Sequence, residues 1–290
     1  MKNTAIKLSG ILLAGAVFFS TLLGYGTQVA AATAIGSDTE AGQASGDGSV
    51  TSVADLPGKH IGVQLGTTGD IMVSDYETDG SGTVVERYNK GADAVQALKQ
   101  GKLDCVIIDE LPALAFVEQN EGLKILEENF VEEDYAFVIA KGNEALVDQV
   151  NETLRELKDE GVLDSIAKNY TGTDEEIGKY PYEILDVERT NGTLTVGTNL
   201  VMVTNAEFPP YEYYEEGKIT GIDMDIMQAV CDKLGMELKI EDMAFDSVIP
   251  AVSTGKVDIG ASGFTVTEER KKNVNFTDTY AKSKQVIIVR

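Results

Sequence analysis

The stretch Ala94-Val95-Gln96-Ala97-Leu98-Lys99-Gln100-Gly101-Lys102-Leu103-Asp104-Cys105-Val106 returns, as a pattern, in Val248-Ile249-Pro250-Ala251-Val252-Ser253-Thr254-Gly255-Lys256-Val257-Asp258-Ile259-Gly260. Each copy reads as a short helix, a glycine stop, a charged turn and a buried strand. Gly101 and Gly255 suit the left-handed residue that ends a helix, because a residue without a Cβ meets no steric cost there. One such phrase is common in α/β proteins. Two copies with Gly-Lys-apolar-Asp in register predict two lobes of similar design. The alternation continues around each copy. His60 to Gln64 predicts a strand running into Gly66-Thr67-Thr68-Gly69, Tyr135 to Ala140 another, and Leu200 to Thr204 a third. Val147, Val150, Leu154 and Leu157 recur at helical spacing. Asp223 is expected to open a helix that carries Ile226, Val230 and Leu234 and stops at Gly235. Strands alternating with helices make this an α/β protein with mostly parallel sheets.

The chain has 290 residues, 24 of them Lys or Arg and 48 Asp or Glu. That length suits about two domains of roughly 100–200 residues each. The acidic excess speaks against a nucleic-acid binder, which needs clustered cations to replace condensed counterions. It speaks equally against docking on an anionic membrane surface. One histidine, His60, and two cysteines, Cys105 and Cys231, are too few for a four-ligand Cys/His zinc site. They also speak against a His-dependent hydrolase. No metal and no cofactor is expected. Both cysteines fall on apolar positions in different lobes and read as small hydrophobes.

Residues 1–34 carry the three parts of a secretory signal peptide: Lys2 and Lys7, an apolar run from Leu8 to Leu23, and small residues from Val29 to Ala34. The alternative is an uncleaved N-terminal anchor. The run holds no cysteine for a lipid, so export to a periplasm or cell surface without a lipid anchor is expected. Residues 35–52, rich in Gly, Ser, Ala and acids, predict a flexible leader. Residues 171–192 are polar, acidic and aperiodic, and predict a connecting tether.

Several residues could carry chemistry. Arg270, after Ser262-Gly263 and Thr265, offers a planar, permanently charged fork for a carboxylate, with Ser262 and Thr265 adding hydroxyls. The plainer reading is a solvated Arg at a charged helix start, since Lys271 and Lys272 follow. Gly66-Thr67-Thr68-Gly69 is either an anion-cradling loop or an ordinary strand-to-helix turn. Asp109 lies at a strand's carboxyl end, where open α/β sheets bind ligands. It suits an ammonium group, or caps the helix that follows. Phe208, in a Pro-stiffened loop, is either a lid or core.

Further motifs are Thr204-Asn205-Ala206-Glu207-Phe208-Pro209-Pro210-Tyr211, Gly221-Ile222-Asp223, Phe245-Asp246-Ser247-Val248-Ile249-Pro250-Ala251, Thr267-Glu268-Glu269-Arg270, Asn275-Phe276-Thr277-Asp278-Thr279-Tyr280 and Gln64-Leu65-Gly66-Thr67-Thr68-Gly69. With these, residues 194–281 and 53–170 resemble family-3 bacterial extracellular solute-binding proteins of polar amino-acid ABC transporters. The resemblance implies a two-lobed periplasmic-binding-protein type II (Venus-flytrap) fold that closes over one amino acid. It implies that Arg270 holds the α-carboxylate with Thr265 and the Thr67-Thr68 backbone. Asp109 would take the α-ammonium beside Ser262 and Gly263, and Phe208 would stack on the ligand. Asn205, Gln64, Phe245 and Ile108 would face its side chain. None of these four is charged, so a neutral, polar amino acid is expected. The implied partner is an ABC permease, and the implied state a monomer. The family order runs from the segment seen here at 194–281 into the one at 53–170. This chain reverses it, so a circular permutation is expected, with Thr195 to Asn199 nearly duplicating Val203-Thr204-Asn205. One lobe would comprise residues 53–134 plus 284–290, the other residues 135–283, and Gln285 to Val289 would pair within the first. An alternative function is a cyclohexadienyl-dehydratase-like enzyme on the same fold, although no histidine lies near the expected cleft.

Overall fold

The computed structural model describes residues 49–185 and 199–290. The expected signal peptide, most of the leader, the end of the tether and the near-duplicate at residues 195–198 lie outside the described residues.

A first sheet begins with β1 (His60–Gln64), α1 (Thr68–Thr78), β2 (Val84–Tyr88), α2 (Gly91–Lys99) and β3 (Cys105–Asp109). β1 pairs in parallel with both β2 and β3. α3 (Glu110–Gln119), β4 (Lys124–Ile125) and β5 (Val131–Tyr135) follow. The chain then enters a second sheet at β6 (Val138–Ala140) and runs through α4 (Glu144–Asp159) and α5 (Val162–Thr171). The segment expected to be one strand from Tyr135 to Ala140 is therefore two, broken at the buried pair Ala136-Phe137 where the chain leaves one sheet for the other.

After the tether come β7 (Asn199–Thr204), β8 (Glu207–Phe208), β9 (Glu212–Glu215) and β10 (Lys218–Thr220), then α6 (Ile222–Leu234) and β11 (Glu237–Asp242). α7 (Phe245–Ser253), β12 (Ile259–Gly260) and β13 (Val274–Phe276) complete the second sheet, in the order β11-β7-β12-β6-β13. The last strand, β14 (Ala281–Val289), returns to the first sheet and pairs antiparallel with β3, from Gln285 opposite Asp109 to Ile288 opposite Val106. β14 also pairs with β4 and β5. Ala281 lies opposite Tyr135, so the two crossings between sheets run side by side. Two mixed sheets, each covered by helices and joined by two crossings, form a two-lobed α/β fold.

The repeat has a structural cause. Gly101 and Gly255 both adopt left-handed backbone, at φ 76° and 70°. The aspartate of each copy then ties its strand to the neighbour. Asp104 Oδ2 accepts the His60 N–H at 2.8 Å, and Asp258 Oδ2 accepts the Val201 N–H at 2.7 Å. The N–H of each aspartate returns a bond to the carbonyl of the same partner. Gly-Lys-apolar-Asp is thus a device for locking two parallel strands at their start.

Three expectations need correction. Asp223 does not open α6; Gly221 occupies the cap position and Asp223 sits inside the first turn with a buried side chain. The leader ends earlier than residue 52, because Val50 is 4 % exposed and packs in the same core cluster as Leu56 and Ile61. The tether is not wholly exposed: Tyr182 Oη and the Leu185 N–H both donate to Asp232 on α6. Cys105 and Cys231 are both buried, as apolar positions should be.

Candidate functional site

One pocket lies where the carboxyl ends of β1 and β3 meet the ends of β7 and β12. Its lining contains eleven of the twelve ligand-facing residues expected above, all but Ile108, together with Gln285. From the first sheet, Gln64 ends β1 and donates from Nε2 to Asn205 Oδ1 at 2.8 Å. Thr67 caps α1: its Oγ1 accepts the Asp70 N–H at 3.3 Å and donates to the Gln64 carbonyl at 2.8 Å. Thr68 follows with a buried hydroxyl that has no protein partner.

Asp109 occupies the cap position of α3, yet its carboxylate makes no capping bond. It accepts the Tyr135 hydroxyl instead. The carboxyl is 4 % exposed, and burial pushes its pKa well above the usual range. The neighbouring Glu133 carboxyl adds to that rise, while bonds from Tyr135 and Gln285 oppose it.

The second sheet supplies the cation. Glu268, Glu269, Lys271 and Lys272 are exposed, and Lys271 pairs with Glu268 at 2.8 Å. Arg270 turns inward from the same segment and is 6 % exposed. Its Nη1 donates to the Thr265 carbonyl at 2.9 Å, and Nη2 reaches across to the Gly66 carbonyl at 3.0 Å. The guanidinium lies 5.7 Å from the Phe245 ring centroid and 5.4 Å from that of Phe264. Those two rings stack at 4.8 Å. Burial lowers the pKa of Arg270, with Glu133 and Asp109 pulling it back up, and a guanidinium so placed stays charged.

The remaining residues frame these charges. Phe208 belongs both to the pocket lining and to the core, its ring 5.8 Å from that of Tyr211. Ser262 and Gly263 form the turn after β12, and Gly263 has φ 53°. Asn205 donates to the Met243 carbonyl at 3.0 Å. Ile108 is not in the lining; it sits in the core beside Gly91. Glu207, near the pocket in sequence, pairs with Lys90.

Two residues escape the sequence reading. Glu133 is 5 % exposed and accepts the Thr265 hydroxyl at 2.8 Å and the Gln285 side-chain amide at 2.9 Å. Gln285 is 1 % exposed, with its own Oε1 unpartnered. Glu133 lies in the acidic run Glu132-Glu133-Asp134, which reads as a solvated face. Only the pairing of β5 with β14, Ser283 opposite Glu133, turns that one carboxylate inward.

Among the described residues no cluster of three or more His, Cys, Asp or Glu is placed to hold a metal ion. No helix among them is long and apolar enough to cross a membrane.

Residues 200–290 match the family model described as bacterial extracellular solute-binding proteins, family 3. That matched segment carries the likeness: residues 200–290 are similar to the family-3 solute-binding proteins. It is 40% identical over 89 residues to the arginine-binding extracellular protein ArtP of Bacillus subtilis, covering 31% of this chain and 35% of that one. It is 30% identical over 129 residues to the L-cystine-binding protein TcyJ of Escherichia coli, covering 44% and 47%. Among solved structures, the arginine-bound form of domain 1 from TmArgBP is 42% identical, with 32% of this chain and 80% of that one covered, at a TM-score of 0.29. The chain spans about a third to a half of the length of these curated relatives.

Proposed function

We propose that this chain is an extracytoplasmic amino-acid receptor that delivers its ligand to an ABC permease by lobe closure and does no chemistry on it. One observation carries the reading: a buried guanidinium and a buried carboxylate, brought from different sheets, line one pocket. Each isolated charge costs desolvation energy there. A free amino acid supplies the counter-charge for both at once. Arg270 takes the α-carboxylate, helped by Thr265 and the Thr67-Thr68 backbone. Asp109 takes the α-ammonium beside Ser262 and Gly263. Phe208 stacks on the ligand.

Gln64, Asn205 and Phe245 face the ligand side chain in this reading. All are uncharged, which favours a neutral, polar amino acid. A second reading is a cationic amino acid. Glu133 favours it, because two buried acids then stand against Arg270, and a relative named for arginine points the same way. A thermal-shift panel of the twenty amino acids separates the two, since a ligand at about 100 times its Kd adds roughly 2.7 kcal/mol. The largest shift is expected from a residue such as glutamine or serine. Arginine or lysine in first place supports the second reading. No shift from any amino acid, or turnover of prephenate, overturns the receptor.

The proposal includes export without a lipid anchor and a circularly permuted order. One lobe is residues 53–134 plus 284–290, and the other residues 135–283 with the tether at 171–192. The placement of β14 in a sheet otherwise built from residues 60–135 supports that order.

A further inference from the structure

Glu212 begins β9 and Asp223 lies in the first turn of α6; both are 0 % exposed. They meet beneath the Ser262-Gly263 turn. Glu212 Oε1 accepts the Ser262 hydroxyl at 2.8 Å. Asp223 Oδ2 accepts the Gly263 N–H at 3.2 Å and the Tyr280 hydroxyl at 2.8 Å. The two remaining oxygens, Glu212 Oε2 and Asp223 Oδ1, are buried and have no protein donor, although the two carboxyls lie within hydrogen-bonding reach of each other. Ionised carboxylates only accept. Two of them in a dry site cannot both keep a charge.

We propose that Glu212 is a neutral carboxylic acid in the folded protein, donating its proton from Oε2 to Asp223 Oδ1 and so fixing Ser262 as a hydrogen-bond acceptor toward the cleft. The assignment satisfies both orphaned oxygens with one proton. It places the charge on Asp223, which already receives two donors that favour its ionised form. It also sets the polarity of Ser262. The single hydroxyl proton is committed to Glu212, and Ser262 Oγ accepts the Asn205 N–H at 3.2 Å. What remains on Oγ is one lone pair. Ser262 lines the same pocket as Asp109, so that lone pair is a second acceptor for an α-ammonium. This last step rests on the receptor reading; the position of the proton does not.

The titratable and charged groups acting on the pair are Asp109, Tyr211 and Tyr280, none of them a cation. Burial pushes Glu212 well above its ordinary value, with the Asp223 charge adding to the rise. Burial raises Asp223 only to about 7, because Tyr280, Gly263 and Glu212 hold its charged form. A raised pKa in the folded state means stability present at low pH and lost as pH rises toward that pKa.

The test uses Glu212→Gln and Glu212→Ala in the full chain. Glutamine accepts from Ser262 and donates to Asp223 with no proton to lose. The melting temperature of E212Q, without ligand, is expected to fall less steeply than that of the unsubstituted protein between pH 5 and 9. Calorimetry at pH 7 with L-glutamine and with L-arginine reads the positioning role. E212A is expected to lose about tenfold in affinity for whichever binds, a lost hydrogen bond's worth, and E212Q to regain most of it. An E212Q protein that keeps the original pH slope, or that is as impaired as E212A, overturns the proposal. Should neither amino acid bind the unsubstituted protein, the melting curves alone decide where the proton sits, and the receptor reading is judged by the full amino-acid panel.

Discussion

Asp109 with Glu133 and Glu212 with Asp223 are two buried acid pairs, one on each side of the same pocket, and they live in opposite surroundings. Burial raises the pKa of Asp109 and of Glu212, and the neighbouring acid raises each further. The Asp109 pair has a cation nearby, since both its members act on Arg270. Asp109 also lines the pocket, so a ligand can reach it. The Glu212 pair has donors around it instead, from Ser262, Gly263 and Tyr280, and no exposure. The same two functional groups thus answer different problems. Asp109 in the first pair is poised to be ionised by an arriving ammonium; the second pair is complete with a shared proton.

Removing the cation should have the largest effect. Arg270→Ala is expected to abolish amino-acid binding, at about 2–5 kcal/mol or more, because the ligand carboxylate then sits unpaired in a dry cleft. Arg270→Lys should lose most of it too, since an ammonium cannot present the planar fork. Calorimetry checks both, and affinity for R270A within threefold of the original would mean that the cation does not hold the ligand. Asp109→Asn comes next. It should cost about 2 kcal/mol of binding, the loss of a charged hydrogen bond, and yet raise the ligand-free melting temperature at pH 8. A neutral amide does not carry the burial penalty of the carboxylate. A fall in both quantities would erase the contrast with Glu212→Gln.

The pH dependence is smaller and spread over both pairs. Asp109, Glu212 and Asp223 all have raised pKa values. Their contribution to stability is therefore present below about pH 4, the ordinary carboxylate range. It is lost as pH rises, for Asp223 through about 7. The ligand-free melting temperature should decline over that window. Ligand binding near pH 6 should release protons from Asp109, read by calorimetry in buffers of different ionisation enthalpy. Proton release unaffected by Asp109→Asn would place its source elsewhere. The mildest test is Gly263→Ala. At φ 53° a Cβ would lie 3.0 Å from Phe208 and 3.3 Å from Tyr135, so affinity should drop by about 1 kcal/mol through strain in the turn.

Much of this was legible in the text of the chain. Gly-Lys-apolar-Asp announces two similar units because each of its residues has a local duty: a left-handed stop, a turn, a buried strand and a lock on the neighbouring strand. Arg270, Asp109, Phe208 and the Thr67-Thr68 turn were legible as open alternatives because they follow strands or cap helices; the family resemblance chose among those readings and alone supplied Gln64, Asn205 and Phe245. Glu133 and Gln285 were not legible. Their strands pair across a long span of sequence, and a one-residue change of register would have turned both side chains to the opposite face. Glu212 and Asp223 were hidden too, because their partners come from distant segments of the chain. Glu212 is followed by Tyr213, Tyr214 and Glu215 in a strand that reads as half-exposed, and Asp223 as an ordinary helix opening.

The amino-acid sequence by itself determined the α/β class, the doubled helix–glycine–strand unit and the positions of Arg270 and Asp109 at element ends, because these follow from backbone preferences and periodicity over a few residues. Tertiary structure decided which acids face one another, which keep a proton, and which hydroxyl offers a lone pair to the cleft. Those outcomes depend on burial and on partners brought from distant strands, and a carboxylate's charge is set by that local environment rather than by its neighbours along the chain.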